Sequence, residues 1–151
     1  MQKLSIILTI LIFSTFILGQ TNYQTYSNAR YGYAISYPSD LLTPQGEAEN
    51  GDGQIFKNKD AEMRVWGSHN ALRRTLKQEY QAGSMDYGRG ITYQALLKNS
   101  FVISGRRGGK IFYQKTIFKD DQFFTLTIEY KESKRQVYDS VVTKIAKSFK
   151  V

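Results

Sequence analysis

Three hydrophobic patterns follow one another along this chain. The first is continuous. After Lys3, the residues from Leu4 to Leu18 carry no charge and are rich in Ile, Leu and Phe, and Gly19-Gln20 then leads into polar Thr21-Asn22. A basic start, an apolar run of about 15 residues and a small residue ahead of a polar segment is the pattern of an export signal. The run falls short of the roughly 20 residues that a bilayer-crossing helix needs. Residues 1–20 are therefore expected to be a cleaved signal peptide, with no transmembrane segment left afterwards, and residues 21–27 a polar lead-in that frays.

The second pattern has period two, the mark of a strand with one buried face. Tyr33-Ala34-Ile35-Ser36-Tyr37 alternates until Pro38 stops it, and Ala61 to Ser68 places Ala61, Met63 and Val65 on one face and Glu62, Arg64 and Trp66 on the other. Ile91 to Leu97 and Phe101 to Arg106 read as a hairpin or as one strand bent at a bulge. Ile111 to Phe118 follows the turn Gly105 to Lys110. Asp120-Asp121-Gln122 then connects to Phe123–Tyr130, where Phe124, Leu126, Ile128 and Tyr130 share a face opposite Thr125, Thr127 and Glu129. Between Ser39 and Asp60, Pro44, Gly46, Gly51 and Gly53 predict a long loop with one short strand near Gln54 to Lys57.

The third pattern is helical. Asn70 is placed to cap a helix over 71–81, with Leu72, Leu76 and Tyr80 in register and Gly83 after its end. Ser133 and Gln136 form a capping-box pair ahead of Val137, Val141, Val142, Ile145, Ala146 and Phe149. Short turns between successive strands predict an α+β fold: a central, mostly antiparallel sheet of about six strands flanked by helices, with the C-terminal helix packed on the sheet, in a single domain over 28–151.

Composition narrows the chemistry. The chain has no Cys, so disulfides, a thiolate nucleophile, a zinc-thiolate site and a lipid-bearing cysteine are all excluded. Lys and Arg number 21 against 13 Asp and Glu, a net charge of +8, which attracts polyanions without naming one. Nothing in the pattern points to specific nucleic-acid recognition.

Four groups of residues are candidates for function. His69, the single histidine, stands beside Ser68 at a strand end, but no nucleophile-elbow motif frames the pair. A second histidine is missing as well, so neither catalysis nor a transition-metal site is expected. Asp40, Glu47, Glu49, Asp52, Asp60 and Glu62 concentrate acid in one stretch, which suits a solvated loop, calcium, or a carboxylate pair for hydrolysis, without matching an EF-hand. From Arg89 to Lys119 there are seven basic residues and no acidic one. Of these, Arg106, Arg107 and Lys110 share one Gly-containing turn and are expected to contact an anion. Trp66 is expected to pack beneath a helix.

Asn28-Ala29-Arg30-Tyr31-Gly32-Tyr33 running through Ile35-Ser36-Tyr37-Pro38-Ser39 resembles the opening of PsbP-like and DcrB-like domains, an aromatic-Gly-aromatic strand leading into Tyr-Pro. Phe112-Tyr113, the following hairpin and a last helix closing on Ile145 and Ser148-Phe149 are similar to their close. The resemblance implies an antiparallel sheet sandwiched by helices, in exported accessory or binding factors of the bacterial envelope or thylakoid lumen. It transfers no functional residue. The expectation is a secreted or periplasmic accessory protein without catalytic machinery or cofactor, whose partner is an envelope protein or an anionic ligand. An envelope-polymer hydrolase using the 40–62 carboxylates, or a protein-docking chaperone or immunity-type factor, stands as the alternative.

Overall fold

The computed structural model describes residues 21–151; the expected signal peptide lies outside the described residues. Nine strands and two helices follow in the order β1 (Tyr23–Asn28), β2 (Tyr33–Pro38), β3 (Thr43–Glu47), β4 (Gly53–Lys57), β5 (Ala61–His69), α1 (Leu76–Tyr87), β6 (Ile91–Leu96), β7 (Ser100–Arg107), β8 (Lys110–Lys119), β9 (Gln122–Lys131) and α2 (Arg135–Ser148). Seven strands form an antiparallel sheet in the order β3-β4-β5-β9-β8-β7-β6, and β1 pairs with β2 alone. The α+β class, the antiparallel sheet and the terminal helix agree with the sequence reading. No described helix is long and apolar enough to cross a membrane.

One face of the sheet carries the main core. Met63 and Val65 of β5 and Phe124, Leu126 and Ile128 of β9 point the same way because strand side chains alternate, and all are almost fully buried. Above them lie Tyr33, Ile35 and Tyr37 of β2 and Tyr138, Val141, Val142, Ile145 and Phe149 of the α2 segment. The β1–β2 hairpin and α2 thus cover this face together, joined by backbone hydrogen bonds between Ala34 and Lys150. The opposite face carries a smaller core of Phe101, Ile103 and Phe112 beneath Leu76, Tyr80 and Tyr87 of α1. Tyr80 meets Phe101 edge-on at 5.5 Å and Tyr87 stacks on Phe112 at 4.2 Å.

Local chemistry corrects several expectations. Strand β1 (Tyr23–Asn28) occupies most of the lead-in expected at 21–27: it pairs along its whole length with β2, and buried Asn28 locks its end. The Asn28 amide donates to Glu47 Oε1 at 2.9 Å and to the Gly51 carbonyl at 3.0 Å, while its Oδ1 accepts from the Tyr31 amide at 2.8 Å. The 39–60 loop holds two strands rather than one, the β3–β4 hairpin. The segments after Ile91 form a hairpin, β6–β7.

The first helix begins at Leu76, not at residue 71, because Thr75 and Gln78 form a reciprocal capping box that Asn70 cannot match. The Asn70 side chain instead ties down residues 70–74 by bonding the backbone of Arg74 in both directions. Gly83, expected beyond the helix end, sits inside α1 and lets it approach Ile103. The Ser133–Gln136 box is not formed either. A 3-10 turn over Glu132–Lys134 precedes α2, and an Arg135–Asp139 pair at 2.8 Å braces its first turn.

Two of the core phenols set an alkaline limit. Burial pushes the Tyr33 hydroxyl far above its ordinary value, and it donates to the Asp52 carbonyl at 2.9 Å. Burial also raises Tyr130, whose hydroxyl donates to Asp139 Oδ1 at 2.7 Å. Folded values above the unfolded one mean that stability is full below about pH 10 and falls as pH rises beyond it, because only the unfolded chain then releases these protons. The urea midpoint is expected to hold steady from about pH 7 to 9 and to drop steadily above about pH 10, less steeply in Tyr130→Phe.

Candidate functional site

A seven-stranded sheet is about 29 Å wide at 4.8 Å per strand spacing, whereas a helix of 12 residues is about 18 Å long. Helix α1 packs mainly on β6 and β7 and leaves β4, β5 and β9 without close packing on its own side of the sheet. The side chains turned to that side follow from alternation: exposed Arg64 and half-buried Trp66 and Ser68 from β5, and buried Thr125 with half-buried Thr127 and Glu129 from β9. They floor a groove in which two cavities adjoin at Trp66.

One cavity, of about 420 Å³, runs beneath α1 between Trp66, Ser68, Gln114, Thr125 and Thr127 on the sheet and Tyr87 on the helix. The other, of about 320 Å³, lies on the far side of the indole, toward the β3–β4 hairpin, between Gln45, Asp52, Gln54, Ile55 and Arg64. Trp66 is half-buried and belongs to neither apolar core, so it does not pack under a helix as the sequence suggests. The reason is the later start and the position of α1. The indole is left as a wall shared by both cavities.

The groove is polar but its charges are nearly balanced. Gln114 Nε2 donates to Thr116 Oγ1 at 3.0 Å, and the Thr116 and Thr125 hydroxyls bond each other at 3.1 Å, which orders the floor. Arg74 pairs with Glu79 at 3.1 Å along one rim. At the other end Glu129 stands between Arg107 at 3.8 Å and Lys110 at 3.6 Å, and the Arg107 guanidinium lies over the Tyr87 ring at 5.6 Å. Burial raises the Tyr87 phenol above its ordinary value. Such a surface offers hydrogen bonds and aromatic faces without a strong field of either sign.

The anion turn expected at Arg106, Arg107 and Lys110 is divided by the β-strand alternation. Arg107 and Lys110 meet over Glu129 at the groove end, while Arg106 points to the opposite face and pairs with Glu132 at 2.8 Å. All three cations therefore already hold an acid. Gly108 and Gly109 both adopt the left-handed backbone that the tight turn requires.

The acidic stretch disperses in the same way. Asp40 accepts from the Asn22 amide, Glu47 from Tyr26 and Asn28, Asp52 from Asn50, and Glu62 from Arg64. Asp60 bonds Lys131 at 2.8 Å, which holds its carboxyl below the usual range. No cluster of three or more potential metal ligands occurs among the described residues. His69 lies against the Tyr31 ring and the Gln122 amide, while Ser68 projects to the other face and donates weakly to the Phe123 carbonyl. Both residues line a small cavity of about 170 Å³, and no hydrogen bond joins them among the described residues.

Sequence reasoning named Trp66 but missed Gln114, Thr125, Thr127 and Tyr87 as its companions. A signal was present in Thr125-x-Thr127-x-Glu129, three polar side chains aligned on one face of a central strand.

No family model matches the chain, and no curated protein matches it. Solved structures do. Among them is the solution structure of cyanobacterial PsbP (CyanoP) from Synechocystis sp. PCC 6803, which superposes with a TM-score of 0.63 over 93% of this chain and 98% of that one, at 14% sequence identity. At that identity the likeness shows the fold alone. The chain has a PsbP-like α+β fold.

Proposed function

We propose that this chain is an exported, non-catalytic binding protein of the cell envelope, and that its ligand is a polyhydroxylated one, a glycan segment laid across Trp66. The observation that carries this reading is the half-buried indole between two adjoining cavities, on a floor of Thr125, Thr127 and Gln114. A sugar ring presents an apolar C–H face to an aromatic ring and hydroxyls around its edge, and this groove supplies partners for both. The near balance of charge along the groove suits such a ligand better than a free anion. Arg107 and Lys110 supply the anionic contact anticipated for the turn, meeting an acidic substituent by exchanging Glu129 for it.

The apolar leader pattern at residues 4–18 supports export, and the separate partners of Asp40, Glu47, Asp52, Asp60 and Glu62 support a binding role over hydrolysis. Isothermal calorimetry with soluble neutral and acidic oligosaccharides of the bacterial envelope tests the reading. Binding is expected in the wild type and at least tenfold weaker in Trp66→Ala, since removal of one stacking ring costs about 1.4 kcal/mol. Arg107→Ala is expected to weaken the acidic oligosaccharide and to spare the neutral one. Equal affinities in wild type and Trp66→Ala would overturn the site.

A further inference from the structure

Seven basic residues between Arg89 and Lys119, with no acid among them, build one half of the sheet, strands β6 to β8. Only Arg107 and Lys110 of these reach the groove end described above. The sheet also has two edges, β3 and β6, and they differ. Both edges carry a register shift, but strand β3, Thr-Pro-Gln-Gly-Glu, adds Pro44, a left-handed Gly46 and the charge of Glu47, which are ordinary protections against further pairing. Strand β6, Ile-Thr-Tyr-Gln-Ala-Leu, has neither charge nor proline and is rich in residues that favour extended backbone.

The surface beside β6 is apolar as well. On the α2 side Tyr93 and Leu97 are each 58% exposed. Next to them a cavity of about 450 Å³ opens between Leu97, Val102 and Tyr113 on the sheet and Val142 and Ala146 on α2. Lys115 and Lys147 line the same cavity. Lys115 Nζ donates to the Ala146 carbonyl at 2.8 Å near the end of α2, and burial lowers its pKa. Arg89 and Lys98, both exposed, flank β6 on either side.

We infer that β6 is a docking edge for an extended acidic segment of a partner protein, which adds as an eighth strand and seats alternate apolar side chains in the cavity against α2. Main-chain hydrogen bonds hold such a strand, and the side-chain pocket gives it register. Charge decides the occupant. Arg89, Lys98 and Lys147 attract carboxylates at the ends of the added strand, whereas a second copy of this chain would bring the same cations against them. The surface is separate from the Trp66 groove, which lies on the other face of the sheet.

The test uses two ten-residue peptides, one alternating Val with Glu and one alternating Val with Lys, added to the protein and followed by fluorescence anisotropy and amide hydrogen exchange. The Val-Glu peptide is expected to bind at least tenfold more tightly than the Val-Lys peptide, and to slow exchange at Ile91–Leu96 but not at Thr43–Glu47. Lys98→Glu alone, and Tyr93→Glu together with Lys98→Glu, are expected to weaken it tenfold or more at an unchanged melting temperature. Equal affinity of the two peptides would overturn the proposal, as would protection at β3 instead of β6. Protection of β6 that rises with protein concentration in the absence of peptide would assign the edge to a second copy and overturn it too.

Discussion

Replacing Phe101 by alanine is expected to destabilise the protein by about 3–5 kcal/mol and to free α1 before the rest of the fold. Phe101 is fully buried, and with Ile103 and Phe112 it makes up the smaller core. Helix α1 has no buried residue of its own and is held through Leu76, Tyr80 and Tyr87, whose rings lie against Phe101 and Phe112. The main core on the other face shares none of these contacts. Hydrogen exchange should therefore show protection lost first across Leu76–Tyr87, with β5 and β9 still protected. Simultaneous loss in both regions would mean that the two cores do not open separately.

Gly105→Ala should be comparably damaging, at about 3 kcal/mol, because it adds a methyl where two backbone segments touch. A Cβ at Gly105 would land on the carbonyl of Gly90 and lie 2.8 Å from the Phe112 ring. A Cβ at Gly90 would in turn sit 2.6 Å from the Arg106 carbonyl. The strain cannot be relieved by rotating a side chain, so the turn before β6 must move away from β7. Urea denaturation measures the loss, and Gly108→Ala serves as the comparison. Gly108 has open space around it and only its left-handed backbone to satisfy, so about 1 kcal/mol is expected there.

Period-two alternation carried most of the fold. In β2, β5 and β9 the residues predicted to share a face do so, because register on a sheet with one buried side is set by which side chains leave water. The β1 strand was illegible for a matching reason: Tyr23 to Ser27 is mostly polar, and its pairing depends on β2 and on the remote Asn28–Glu47 link. The first helix was misplaced because Leu72 keeps helical spacing with Leu76 and Tyr80 while being 72% exposed. Its true start is set by the local bonds of Thr75 and Gln78.

The groove was harder to read than the fold. Whether Trp66 is core or surface depends on where α1 crosses the sheet, and that depends on Phe101 and Phe112, residues remote in sequence from the indole. The basic turn was visible as composition, but strand alternation sends Arg106 to one face and Arg107 to the other. Its partners Glu129 and Glu132 come from β9 and the 3-10 turn after it. Composition counts such charges without showing that they are already paired.

The chain's single tryptophan makes the central claim directly measurable. Titration of soluble envelope oligosaccharides while following Trp66 emission is expected to give a saturable change, with the indole shielded from acrylamide quenching once the ligand covers it. An emission and quenching profile that stays constant while calorimetry records saturable binding would place the ligand elsewhere and contradict the account.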